Sequence, residues 1–429
     1  MKGISGKIVG LLAGSVLLSS AMAQTKVEIN VWSGYPELVP FYKRVGEDLK
    51  KTYPGVTVNV LATPLRDYER KLAVTLPAGQ AAEVIELGYS TAQRYLEANL
   101  FQQAPATVSS FVSNGDTYDK FFIDSASYKG KVYGIPLFRG QGALFYNEEM
   151  LKAAGFTRPP RTMEEFNEYA QKLTKRDANG NPTVSGWSMR LGGGGQGIAE
   201  KFWINLHQWG GSLLEQSADG KWYANYDSTA GAKTLQQYVD QVHKFKTVTP
   251  AMKADAEAFQ LELTAMFIRE SWVIADTAAK NPKLKYKTAP LPVGTIALPA
   301  NLYVPSSVKG DKARMAWEFA RRAVERANQI WMVKNAGWLP IRKDIDYKAL
   351  IAEIPALSAF LNYPKGYTFF TLPPIAPIEE VLTRLAERLV RAYNDPKLVD
   401  NPAGIQAVLK DAATETNAIL ERNGILGKR

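Results

Sequence analysis

The chain contains no cysteine and only two histidines, His207 and His243. Without cysteine there is no disulfide framework, no thiol nucleophile, no iron–sulfur cluster and no thiolate zinc site. Two histidines 36 positions apart cannot form a three-histidine metal site, and no H-E-x-x-H stretch, P-loop lysine motif or G-x-S-x-G elbow is present. No cofactor is expected. The N-terminal apolar run covers residues 8–18, only 11 residues, where a membrane-spanning helix needs ~20. Lys and Arg (52) outnumber Asp and Glu (42), yet no block of five or six like charges occurs. A basic excess spread in this way describes a solvated surface rather than a nucleic-acid or membrane patch.

What is present is ordinary globular chemistry. Hydrophobic (46%), aromatic (11%) and charged (22%) contents sit near the averages for folded domains, and 429 residues suit two of them. Lys2 and Lys7, the apolar run and the small residues ending in Ala21-Met22-Ala23 read as a secretory signal over residues 1–23, cleaved after Ala23. Removing its two lysines leaves a net charge of +8. No cysteine follows the cleavage site to carry a lipid anchor, so a soluble, periplasmic mature chain is expected, and nucleic acid is an unsuitable partner for it.

Residues 26–32 alternate with Val27, Ile29 and Val31 on one face, the period of a strand. Leu38, Phe41, Tyr42, Val45 and Leu49 then recur at helical spacing, and Tyr53-Pro54-Gly55 stops the helix. A second strand at 56–61, a helix at 67–76 and a third strand at 83–87 complete a βαβ pattern, which predicts a mostly parallel sheet with ligands bound beyond its carboxyl ends. Further on, Thr162 and Glu165 form a capping box ahead of a helix over 163–173. Residues 230–245 are amphipathic, 265–274 read as strand, 290–305 as a proline-rich passage, and 311–324, 379–393 and 405–421 as helices.

Several motifs reduce to bland readings. Residues 192–197 match G-x-G-x-x-G, but four consecutive glycines match almost any glycine spacing, and a flexible loop at a cleft edge is the simpler reading. Residues 177–182 imitate a calcium loop, yet its sixth position is Pro182 and its twelfth Ser188, so a turn is expected. Nine tryptophans stand out. A sugar presents an apolar C–H face and a rim of hydroxyls, so its site needs aromatic plates and polar side chains. Trp32 and Trp272, at strand ends, suit such plates. Trp317 and Trp331 read as packing, and for Trp338 and Trp203 the pattern favours neither role. Arg66, Arg139 and Arg190 at loop or strand ends suit hydroxyl pairs, a carboxylate or a phosphate. A secreted glycoside hydrolase would need only two carboxylates brought together in space, which sequence does not exclude.

Ordered blocks resemble one family. The strand Val27-Glu28-Ile29-Asn30-Val31-Trp32 with Tyr53-Pro54-Gly55-Val56, the stretch from Leu76 to Ile85, Gly130-Lys131-Val132-Tyr133-Gly134-Ile135-Pro136, Leu144-Phe145-Tyr146-Asn147, Trp209-Gly210-Gly211, Ser271-Trp272 and Gly337-Trp338-Leu339-Pro340 are similar to the bacterial extracellular solute-binding proteins of the maltose and oligosaccharide type, which feed ABC importers. Ala82-Glu83 stands where proline and aspartate are usual. The resemblance implies a two-lobed α/β periplasmic binding protein fold, each lobe a mostly parallel sheet flanked by helices. The lobes would be residues 24–140 with 296–327 and residues 141–295 with 328–429. Hinge crossings would fall near 139–144, 294–300 and 324–329. It also implies a non-enzymatic, monomeric receptor that closes on a sugar or short oligosaccharide and meets the membrane only through its permease. Family contact positions carry over to Trp32, Tyr35, Arg66, Tyr89, Ser90, Arg139, Gln141, Trp272, Asn301 and Trp338, to which Arg190 and Trp203 are added as candidates. The family's usual acidic residue is absent around Gln141 and Tyr89-Ser90. A phosphorylated polyol such as a glycerol phosphate derivative is the runner-up ligand.

Overall fold

A computed structural model describes residues 26–193 and 195–429; the expected signal at residues 1–23 lies outside them, as does Gly194 of the glycine run. Strand β1 (Val27–Ser33) buries its alternate residues Ile29 and Val31. The chain turns through a 3-10 turn into helix α1 (Val39–Thr52), which presents Phe41, Tyr42, Val45 and Leu49 to the same core. Strand β2 (Val56–Ala62), helix α2 (Leu65–Thr75), strand β3 (Val84–Gly88) and helix α3 (Tyr89–Glu97) follow. β1 pairs parallel with both β2 and β3, with Val27 opposite Val56 and Val31 opposite Val84. This is the βαβ arrangement that the alternating pattern predicts.

Strand β4 (Gly134–Asn147) leads into helix α4 (Met163–Leu173) and helix α5 (Gly197–Gln208). The cap of α4 is half as expected: Thr162 Oγ1 accepts from Glu165 N at 3.2 Å, but the Glu165 carboxylate turns to Arg161 N and Arg158. Arg158 offers a bidentate guanidinium, a stronger partner than a backbone amide. Residues 265–274, read as one strand, divide into strand β5 (Met266–Glu270) and helix α6 (Trp272–Lys280). Strand β6 (Tyr286–Ala289) precedes strand β7 (Gly294–Tyr303), which occupies the passage read only as proline-rich. Pro299 lacks an N–H for a ladder, and the β7 register shifts between Ala300 and Asn301 beside it.

After β7 come helix α7 (Gly310–Ala323), helix α8 (Arg326–Asn335), strand β8 (Thr368–Phe370), helix α9 (Ile378–Tyr393) and helix α10 (Pro402–Arg422). Among the described residues one eight-stranded sheet runs β5-β4-β7-β3-β1-β2, with β6 on β4 and β8 on β7. It is mixed. The mostly parallel expectation fails for the second lobe, where β5 and β6 are antiparallel to β4. β4 and β7 are also antiparallel, because β4 carries the chain out of the first lobe and β7 carries it back. Each feeds the main core of both lobes. Ile135, Phe138, Ala300 and Leu302 join β1, α1 and Trp317 in one, whereas Leu144, Tyr146 and Ile296 join Trp187, Phe202, Leu385 and Tyr393 in the other. Two separate cores joined by continuous strands make a two-lobed α/β protein. No helix among the described residues is long and apolar enough to cross a membrane.

Candidate ligand-binding site

A cleft of about 390 Å³ lies between the two lobes. Its first wall comes from the carboxyl ends of the parallel strands: Tyr35 after β1, Pro64, Leu65, Arg66 and Glu69 after β2, and Tyr89 to Thr91 where α3 begins. Its floor is the pair of crossing strands, through Phe138 and Gly140 on β4 and Leu298 to Ala300 on β7. The second wall is Arg190, Gln196, Glu200, Arg269, Glu270 and Trp272.

Aromatic rings line the base. Trp338 lies 4.6 Å from Phe138 and 4.9 Å from Tyr35 between ring centroids, and its Nε1 donates to Glu37 Oε1 at 3.1 Å. Gly337 makes this possible. Its φ is +75°, and a Cβ there would stand 2.7 Å from the Trp272 Cα, so only glycine lets the Trp338 segment lie against the start of α6. The Arg269 guanidinium sits 5.3 Å from the Trp272 ring centroid, within cation–π range.

Charge is distributed unevenly. On the first wall Arg66 pairs with Glu69 at 2.6 Å within one helical turn. Burial pushes the Glu69 carboxyl up to about 7, against the pull of Arg66. Behind this wall Glu86 accepts from Ser33 Oγ at 2.9 Å and from the Tyr42 hydroxyl, and burial raises it to about 8 despite both bonds. On the second wall Glu270 holds Lys201 at 2.8 Å and Arg269 at 2.6 Å, and Arg269 also reaches Asp255 at 2.6 Å. Burial alone would raise the Glu270 carboxyl, but Arg269 and Lys201 together overcome it and hold it well below the usual carboxylate range. Arg190 has no hydrogen bond or ion pair among the described residues. Its guanidinium rests on the bare face of Gly197, where a Cβ would meet Nη1 at 2.6 Å. Across the cleft mouth, Arg66 Nε lies 3.6 Å from where a Gly195 Cβ would be, so the glycine-rich run does edge the cleft.

Seven of the twelve residues singled out in the sequence line this cleft: Tyr35, Arg66, Tyr89, Ser90, Arg190, Trp272 and Trp338. Five lie elsewhere. Arg139 and Gln141 alternate with Phe138 and Gly140 along β4 and so turn to the other side of the strand, where Gln141 donates to the Tyr363 hydroxyl at 2.9 Å and Arg139 lies 3.4 Å from it. Asn301 is fully buried, donating to Ser125 O at 2.7 Å and to the Tyr303 hydroxyl at 2.9 Å. Trp203 is buried in the second core and stacks on Phe370. Trp32 packs beside α2 with the Lys71 ammonium 3.5 Å from its ring centroid. The sequence reading missed Glu69, Glu200, Arg269 and Glu270. A signal for the last two exists, since they immediately precede Ser271-Trp272.

Two lobes joined by continuous strands around one cleft make the architecture of a two-lobed solute-binding protein. A profile of the bacterial extracellular solute-binding proteins matches residues 45–359, and the chain belongs to that family. It is 24% identical over 435 residues to a putative binding protein of Brucella abortus, covering 96% of this chain and 98% of that one. Its fold is similar to an ABC transporter solute-binding protein of Thermotoga lettingae bound with α-D-tagatose (TM-score 0.76, 21% identity, 92% of this chain and 99% of the other). It is equally similar to UgpB of Mycobacterium tuberculosis in complex with glycerophosphocholine (TM-score 0.76, 16% identity, 93% and 100%).

Proposed function

We propose that the protein binds a sugar or short oligosaccharide between its lobes and presents it, in the periplasm, to the permease of an ABC importer. The observation that carries this reading is the cleft's composition. Tyr35 and Trp272 supply aromatic surface for the C–H face of a sugar, backed by the buried Phe138 and Trp338, and the charged walls supply donors and acceptors for its hydroxyls. Because the walls belong to different lobes, a ligand touching both stabilises the closed state over the open one, and only that difference in affinity shifts the population. The lobes are taken as residues 24–140 with 296–327 and residues 141–295 with 328–429, in a monomer released by cleavage after Ala23.

A thermal-shift screen over mono-, di- and oligosaccharides tests the reading, followed by titration of tryptophan fluorescence. A bound sugar raises the melting temperature and perturbs the fluorescence, and Trp272→Ala lowers the affinity at least tenfold. A Trp272→Ala variant with undiminished affinity removes this residue from the site. Chromatography of the sugar after incubation separates receptor from hydrolase, since a receptor returns its ligand unchanged.

A further inference from the structure

A second cavity, of about 290 Å³, enters the second lobe and shares Arg190 and Arg269 with the cleft. The two spaces differ in charge. The cleft is lined by three arginines and four glutamates, Glu37, Glu69, Glu200 and Glu270. The side cavity is lined by Arg190, Lys201 and Arg269 against a single carboxylate, Asp255. Two of its cations already have partners: Lys201 on Glu270, and Arg269 on Glu270 and Asp255. Arg190 alone has none among the described residues, although its side chain is largely shielded from water. Its guanidinium, without a hydrogen-bonded counter-charge, loses hydration and faces the charge of Arg269, and the nearby carboxylates Asp255 and Glu200 offset this only in part. A bidentate oxyanion is the group that restores the balance. The rest of the lining, with Trp187, Phe267 and Ile268 for apolar contact and Ser188 and Asn205 for hydroxyls, suits a hydroxylated carbon skeleton rather than a bare inorganic ion. Asn205 is buried, donates to the Tyr238 hydroxyl at 2.8 Å and keeps its Oδ1 without a partner among the described residues.

We infer that this side cavity is a subsite for an anionic oxy group, a carboxylate or a phosphate borne on a polyhydroxylated carbon, and that Arg190 is the residue that binds it. The inference deepens the sugar-receptor reading and rests on it for the remainder of the ligand. Matched sets test it by calorimetry on the purified protein: glucose, galactose and mannose, their uronic acids and their 6-phosphates, with glycerol 3-phosphate alongside. The charged member of at least one set binds tenfold or more tightly than its neutral counterpart, and the advantage shrinks as salt is added. The uronate and phosphate arms show which oxyanion the cavity takes. In Arg190→Gln the charged ligand loses at least tenfold more affinity than the neutral one, and Arg190→Lys restores part of the preference. If glycerol 3-phosphate alone binds, in an Arg190-dependent way, the subsite stands and the sugar reading fails. If charged and neutral members bind alike, or Arg190→Gln weakens both equally, the subsite is overturned while the sugar reading survives. Absence of binding by every compound overturns both.

Discussion

The two walls of the cleft solve the same problem in different ways. The first wall is made of strand ends, and its one arginine is neutralised by a glutamate three residues away on the same helix. The second is assembled from segments remote in sequence. Glu270 meets Lys201 across 69 positions and Arg269 beside it, which ties the end of β5 to helix α5. A pair within one helical turn forms wherever the helix forms and adds little to the fold. A buried cluster between distant segments forms only when the lobe is complete, and its members depend on one another. The first wall is therefore tolerant of change and the second is brittle.

Identical substitutions on the two walls expose that contrast. Glu270→Gln strips Lys201 and Arg269, both mostly buried, of their shared counter-charge, and breaking a buried pair in this way costs about 3–5 kcal/mol. Chemical denaturation monitored in the second lobe should show the loss at pH 7. The pH dependence follows from the carboxyl's depressed position. The Glu270 contribution is fully present above the ordinary value of 4.5 and is lost as pH falls below it toward the folded value. Glu69→Gln should change stability by no more than ~1 kcal/mol, because the pair lies within one helical turn and what the Glu69 carboxylate gains from Arg66 is offset by its burial. Its pH effect has the opposite sign. A carboxyl raised from 4.5 to about 7 binds more protons folded than unfolded, so stability falls as pH rises through that window. In Glu69→Gln that part of the slope disappears. A larger loss from Glu69→Gln than from Glu270→Gln would invert the comparison.

The same contrast governs how much could be read in the sequence. Local periodicity placed β1, β2, α2 and β3 within about two residues, and helix 163–173 coincided with its observed bounds, whereas α3 went unread. The first-wall positions Tyr35, Arg66, Tyr89 and Ser90 were legible because ligands sit beyond the carboxyl ends of parallel strands, a rule that needs only strand ends. Arg139, Gln141 and Asn301 were misplaced because a strand presents alternate residues to opposite faces, and a family position does not say which face the cleft takes. β7 was hidden by Pro299 within it and by the prolines that flank it. Glu69, Glu200 and Glu270 resemble any surface carboxylate in sequence, and their role depends on partners that the fold alone brings near.

The smallest effect expected joins the two lobes away from the cleft lining. Arg94 on α3 and Glu379 on α9 form an ion pair at 2.6 Å between the lobes, the arginine from the first and the glutamate from the second. Because its partners separate when the lobes open, the pair favours the closed arrangement and so adds to ligand affinity without touching the ligand. Its strength is limited. Both side chains are partly exposed, at 33% and 21%, and Arg94 Nε and Glu379 Oε1 find no partner among the described residues. An exposed pair of this kind is worth ~1 kcal/mol at most, which is about a fivefold change in affinity. Arg94→Gln and Glu379→Gln should each weaken binding of the same sugar by up to that factor at low ionic strength, and by less as salt screens the pair. The double variant should do no more than either single one, since each substitution removes the same contact. If the single effects instead add, the two side chains act separately and the pair does not couple the lobes.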